Sequence, residues 1–325
     1  ESDGGCNTSD LTLIDSQGGA SLGSTTMDVN CLEPNTLYYV QIDGTALNTQ
    51  GFYGIEITDN GAPQAPNDDL CDFVDMGPLP HTPGTPQTIT APGANNLKNL
   101  LCASVEPGEP DPSSHNLDAT VWYSFTTGAN VGWETDFVVE SDPYGLGENP
   151  DLQIALYTSS DGTCNGTMTE VASDYDPVLF GEDLTVECLA PNTRYFVQID
   201  PGGIIGFGDE GFFELSITDD GVTRAPNDLV CNATPLGTIP DNGNAFLGNQ
   251  NNYCAGVSPG EPDPSAYDLQ QTVWYSFTPP SSGNVEIEVL NTGPDFIDLE
   301  ATVWESDDNT CTGTFTQYDG VAPGL

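Results

Sequence analysis

Thr120-Val121-Trp122-Tyr123-Ser124-Phe125-Thr126 recurs, residue for residue, at Thr272–Thr278. The offset from Trp122 to Trp274 is 152 residues, and both copies lie downstream of the same loop, PGEPDPS, at Pro107–Ser113 and Pro259–Ser265. Identical heptads behind identical loops mark a tandem array, and a fixed period decides the architecture before any local reading does. Within the heptad, alternation puts Val121, Tyr123 and Phe125 on one face of a strand and Trp122 and Ser124 on the other.

Three further landmarks recur around it. APND stands at Ala65–Asp68 and Ala225–Asp228, PNTLYYVQID at Pro34–Asp43 answers PNTRYFVQID at Pro191–Asp200, and GFYGIEITD at Gly51–Asp59 answers GFFELSITD at Gly211–Asp219. One complete unit is therefore expected over 65–224. Residues 1–64 match its C-terminal half and 225–325 its N-terminal part. Short alternating runs bounded by Gly, Pro, Asn and Asp predict strands near 119–127, 134–141, 151–158, 168–174, 183–189, 194–200 and 211–218, with no helical periodicity. Seven short strands with regular turn signals imply an all-β fold of tandem β-sandwich domains. The linkers, Asn60–Gln64 and Gly221–Arg224, are short, and short Pro-containing linkers such as the first favour a stiff string of units.

The chain has 325 residues, with three basic side chains (Lys98, Arg194, Arg224) against 50 acidic ones, a net charge of −47. Such a surface repels nucleic-acid phosphates and anionic lipid, and internal ion pairs cannot neutralise it. No run of about 18 apolar residues is present, so no membrane insertion of this region is expected. The carboxylates are either solvated, which keeps a secreted protein soluble, or hold cations.

Nine cysteines recur in register. Cys71 and Cys102 answer Cys231 and Cys254, and Cys6 and Cys31 answer Cys164 and Cys188. The simplest pairing joins neighbours: Cys6–Cys31, Cys71–Cys102, Cys164–Cys188 and Cys231–Cys254, each worth about 3 kcal/mol in the chain-entropy account. Cys311 answers Cys164, and its partner is then expected beyond Leu325. Zinc is the competing reading, but no C-x-x-C or paired-His spacing supports it. Disulfides at this density imply a secreted or cell-surface protein.

Catalytic motifs are absent. The only histidines, His81 and His115, do not recur between units, and no HExxH, GxSxG, P-loop or dinucleotide motif is present. Acidic pairs abound, yet in turns they are more often solvated or metal-bound than catalytic. A calcium site is the better expectation, because Ca²⁺ takes six to eight oxygen ligands from carboxylates, amides and carbonyls. The candidate ligands are Asn67, Asp68, Glu109 and Asp111, with Asn227, Asp228, Glu261 and Asp263 in the next unit. The plainer alternative is that these loops recur because their turns do. Three N-x-S/T sequons stand at Asn7, Asn165 and Asn232.

The order APND-x-x-C, C-A, VWYSF, D-L, C-x-G, L-x-PNT-x-Y-x-VQ-x-D and G-x-F-x-L-x-I resembles the bacterial pre-peptidase C-terminal domain across 65–224 and both partial units. The resemblance implies a secreted, jelly-roll-like β-sandwich attached to exported hydrolases or strung in tandem on surface proteins, some members of which bind calcium or a polymeric substrate. Two features depart from it. Thr120 and Thr272 stand where the family often has an acidic residue, and no accompanying enzyme is present. Asp151 and Asp298, at the D-L step, match its recurring acidic position.

These readings imply a non-enzymatic structural region of an extracellular filament, stalk or adhesin, stabilised by calcium. Its partners are other repeats or further copies of the same protein in a fibrous assembly. The alternative is an accessory module that takes a secreted hydrolase to carbohydrate, such as surface glycans, or to protein. That would require an exposed aromatic strip, for which Trp133, Tyr144 and Tyr157 are the candidates. The partial units are expected to be completed by flanking residues of a longer chain, or by head-to-tail strand addition from a neighbour. The former is favoured because Glu305–Leu325 duplicates the region of Glu1–Gly19.

Overall fold

The computed structural model describes residues 11–17, 25–29, 31–32, 35–44, 51–59, 64–92, 98–141, 151–175, 181–201, 211–264, 267–291 and 298–321. The chain is all-β, and the region 65–224 folds as two facing sheets. The first contains β1 (Val74–Leu79), β4 (Val121–Thr127), β9 (Arg194–Pro201), β6 (Leu152–Ser159) and β7 (Met168–Asp174), in that order. The second contains β2 (Gln87–Thr90), β10 (Phe212–Asp219), β5 (Glu134–Ser141) and β8 (Gly181–Glu187), with β3 (Lys98–Asn99) also paired to β10. All seven predicted strands form within two residues of their expected positions. The sequence reading missed β1, β2 and β3. The first is interrupted by Gly77 and Pro78, and the other two are too short to show a period.

The core lies between the sheets. Val121, Tyr123 and Phe125 of β4 meet Tyr195, Val197 and Ile199 of β9 and Leu152, Ile154 and Leu156 of β6, and all pack against Phe137, Val139, Phe213, Leu215 and Ile217 of the second sheet. Each large side chain buried this way contributes about 2–3 kcal/mol. The second sheet alternates buried and part-exposed residues, as a sheet with one wet face should. The first sheet does not. Trp122 and Ser124 of β4, Phe196 and Gln198 of β9, and Gln153 and Ala155 of β6 are at most 2% exposed although they face away from the core. Both faces of that sheet are covered, so β4 is buried at nearly every position, Ser124 included.

β1 runs parallel to β4, with a register shift between Asp75 and Pro78 at Gly77, whose φ of 85° suits only glycine. The next unit repeats the device. There β11 (Thr234–Thr238) pairs in parallel with β12 (Tyr275–Thr278), shifts at the corresponding point, and carries Gly237 at φ 75°. The hairpin of β13 (Ala301–Ser306) and β14 (Phe315–Val321) repeats that of β6 and β7. Among the described residues of 1–64 no strand forms, although the sequence there matches β9 and β10. A strand needs a hydrogen-bonding neighbour, and the described residues supply none.

The disulfides differ from the expected pairing. They are Cys31–Cys102, Cys71–Cys164, Cys188–Cys254 and Cys231–Cys311. None of Cys71–Cys102, Cys164–Cys188 or Cys231–Cys254 forms, and Cys311 has its partner within the chain. The expected Cys6–Cys31 is also replaced, since Cys31 is taken by Cys102; Cys6 itself lies outside the described residues. The reason is spatial. Cys71 sits in the 3-10 turn Leu70–Asp72 that folds over the outer face of the first sheet, where Cys164 packs beside Trp122, Tyr157 and Phe196. Cys102 lies beyond β3, with its backbone in the left-handed region (φ 61°), and meets Cys31 at a Cα separation of 5.0 Å. Register recurrence fits either pairing; only the fold separates them.

Candidate functional site

The outer face of the first sheet carries a buried polar layer. Two segments roof it: Ala65–Phe73, whose Leu70 and Phe73 pack on Trp122 and Phe196, and the loop Pro107–Ser113. The second segment is held by one carboxylate. Glu109 Oε1 accepts the indole N–H of Trp122 at 2.6 Å, and its Oε2 accepts the hydroxyl of Thr120 at 2.6 Å. Behind it, Gln198 Nε2 donates to the carbonyl of Pro110 at 3.3 Å, and Tyr157 Oη donates to Gln198 Oε1 at 3.1 Å. Asn67 continues the sheet edge: Trp122 N–H donates to its carbonyl, and its Nδ2 donates to the carbonyl of Trp122 at 2.8 Å. The next unit repeats both contacts, with Glu261 accepting from Thr272 and Trp274, and Asn227 donating to the carbonyl of Trp274.

This arrangement accounts for Thr120 and Thr272 where the resemblance led us to expect an acid. A carboxylate there would face Glu109. The threonine hydroxyl supplies a donor instead, but it has one proton and two nearby acceptors, Glu109 Oε2 and the carbonyl of Ser104 at 3.1 Å. Burial pushes the Glu109 carboxyl up to about 7, against the hydrogen bonds from Thr120 and Trp122. A neutral Glu109 donates to Thr120 and frees that hydroxyl for Ser104. Because the folded-state value is raised, the folded chain holds a proton that the unfolded chain has lost. The stability this contributes is full below about 4.5 and is lost as pH rises through about 7. The melting temperature, measured by calorimetry at constant ionic strength in chelator, is therefore expected to fall between pH 5.5 and pH 8. Glu109→Gln, whose amide copies the protonated group, should flatten that fall.

The calcium candidates are thus drawn largely into the fold. Both Glu109 oxygens are used, as are those of Glu261. Asp68 Oδ1 accepts the backbone N–H of Ser104 at 2.6 Å, Asp228 Oδ1 that of Gly256 at 2.8 Å, and Asp111 and Asp263 are exposed. Among the described residues no group of three His, Cys, Asp or Glu side chains is arranged to hold a metal. Six of these eight residues, Asn67, Asp68 and Glu109 with Asn227, Asp228 and Glu261, hold loop segments in place through the hydrogen bonds above. Of the aromatic-strip candidates among the described residues, Tyr157 is buried, at 1% exposed, and Trp133 is taken up in a ring stack on Tyr253, with centroids 4.2 Å apart at 12°; Tyr144 lies outside the described residues.

That stack belongs to a second constellation, at the junction after residue 224. Arg224 lies along the preceding sandwich, donating from Nε to the carbonyl of Gly132 at 2.8 Å and from its guanidinium to the carbonyl of Leu189. Trp133 N–H donates to the carbonyl of Val222. From the following segment, Asn251 Nδ2 donates to the carbonyl of Thr223 at 3.1 Å, and Ala225 N–H donates to the carbonyl of Tyr253. Cys188–Cys254 then crosses the junction, with a Cα separation of 5.3 Å. Cys31–Cys102 crosses the preceding junction in the same way, and there Ala65 N–H donates to the carbonyl of Leu101. Sequence reasoning found the cysteines and the short linker but not their relation. The two intra-unit pairs, Cys71–Cys164 and Cys231–Cys311, lock each unit to itself.

No protein-family model matches the chain, and comparison with curated protein sequences finds no relative. Among solved structures, a family two carbohydrate esterase from Cellvibrio japonicus is similar over 60% of this chain and 51% of its own, at 13% identity and a TM-score of 0.18. The chain thus spans about half the length of that esterase.

Proposed function

We propose that this chain is a non-enzymatic structural repeat region of an extracellular filament, stalk or adhesin, in which each unit is covalently stapled to the next. The observation that carries this reading is the disulfide across each junction, Cys31–Cys102 and Cys188–Cys254. A catalytic or binding module on a tether needs freedom from its neighbour. Here the linker is pinned by Arg224, stacked over by Trp133 and Tyr253, and bridged by sulfur, which removes that freedom. Four disulfides suit an oxidising compartment, and the excess of carboxylates keeps stacked units from sticking sideways. The partners on this reading are neighbouring repeats and further copies of the same protein.

Electron microscopy tests it on the full chain and on native material. The expected images are fibres in the native material and, for the isolated chain, particles with a narrow distribution of junction angle. Cys188→Ser with Cys254→Ser should broaden that distribution while leaving each unit folded. Single globular particles without fibres, or selective binding on a glycan array, would defeat the reading.

A further inference from the structure

The buried polar layer contains acceptors that the roof loops leave unserved. Asp200 is fully buried at the end of β9. Its Oδ1 accepts the backbone N–H groups of Asp118 at 2.9 Å and Ala119 at 2.8 Å, while its Oδ2 has no partner. Directly across the ladder stands Gln153 of β6, 2% exposed, whose Oε1 is likewise without a partner. Both side chains leave the outer face of the sheet, because their neighbours Leu152, Ile154 and Ile199 point into the core. Opposed residues on one face have Cβ atoms about 5 Å apart, so the two oxygens share one space. Asp151, 5% exposed, precedes Gln153 by two residues on the same face.

We propose that this space is a calcium site, with Asp200 Oδ2 and Gln153 Oε1 as ligands and the Asp151 carboxylate as the second charge. Two buried acceptors facing each other are satisfied by a proton or a cation between them, and hard oxygens of mixed charge are the ligand set calcium takes. A simpler arrangement would turn the Gln153 amide so that its nitrogen donates to Asp200. The next unit argues against it. There the matching residues are Asp298 and Glu300, and a glutamate has no N–H to give. What the two units share at this position is an oxygen acceptor. The site is distinct from the loop residues Asn67, Asp68, Glu109 and Asp111, and it stands independently of the structural role proposed above.

The test is calorimetric titration of the chelator-stripped full chain with calcium alone, paired with melting curves with and without calcium. The expected result is that Asp200→Asn binds one calcium fewer per chain than the unsubstituted protein. Gln153→Glu should retain that ion, and its melting temperature should rise more with calcium than that of the unsubstituted chain. Equal stoichiometry in Asp200→Asn would overturn the proposal. So would a Gln153→Glu chain that melts lower and ignores calcium, because that is the behaviour of an amide donating to Asp200. If Asp200→Asn does not fold, the Gln153→Glu comparison decides alone.

Discussion

Pulled from its two ends, the oxidised chain is expected to yield about fourfold less length between Cys31 and Cys254 than the reduced chain. The backbone between them is 223 residues, which at about 3.5 Å per residue is about 780 Å when extended. The disulfides offer a shorter covalent route. It crosses from Cys31 to Cys102, runs back 31 residues to Cys71, crosses to Cys164, runs forward 24 residues to Cys188 and crosses to Cys254. That route contains about 55 residues, or about 190 Å. Force applied along the array therefore reaches the segments Cys71–Cys102 and Cys164–Cys188 and bypasses β4, β5 and β6. Single-molecule force spectroscopy reads the difference as contour length, with and without reductant. Equal contour lengths would mean the junction disulfides do not form. The nearest-neighbour pairing expected from sequence leaves about 145 of those residues free to extend, which the same traces would separate from 55.

Trp122→Ala is expected to remove about 3–5 kcal/mol from the complete unit. Trp122 is fully buried beneath the roof loops, tilted against Tyr157 at 5.8 Å between ring centroids, and its indole holds Glu109. Truncation opens a cavity and leaves Glu109 Oε1 without its donor, so Ala65–Phe73 and Pro107–Ser113 both lose their seat. Trp122→Phe keeps much of the packing and loses the N–H, and should cost about 1–3 kcal/mol. Trp133→Ala is the contrast. That side chain is half-buried at the junction, so the unit's own unfolding transition should move by under about 1 kcal/mol. Chemical denaturation followed by tryptophan fluorescence measures all three. A loss under about 1 kcal/mol in Trp122→Ala would mean the roof is not part of the cooperative unit.

What the sequence disclosed follows from the range of the interactions that set it. Strand positions are local, and the alternation of Val121, Tyr123 and Phe125 or of Tyr195, Val197 and Ile199 records the core face directly. The covering of the other face is not local. Nothing near Gln153 or Asp200 announces that a loop some 40 to 90 residues earlier in the chain will roof them, so two buried polar residues read as ordinary strand polarity. The Glu109–Trp122 clamp was half legible. Glutamate stands 13 residues before tryptophan in both copies, Glu109 to Trp122 and Glu261 to Trp274, and that spacing signals a contact as readily as a ligand. The cysteines failed for the same reason. Closing short loops is the local choice, while the real pairs span 66 to 93 residues and depend on which surfaces the sandwich brings together.

The disulfide network also decides what a single break in the backbone does. With Cys31–Cys102, Cys71–Cys164, Cys188–Cys254 and Cys231–Cys311 in place, almost every peptide bond between Cys31 and Cys311 has a covalent detour. A nick between Cys102 and Cys164 is bypassed through Cys71, and one between Cys188 and Cys231 through Cys254. Only the stretch from Cys164 to Cys188 is single file. A protease working on the outside of such an array can cut most of its loops once without severing it, and wear becomes parting only where β7 leads into β8.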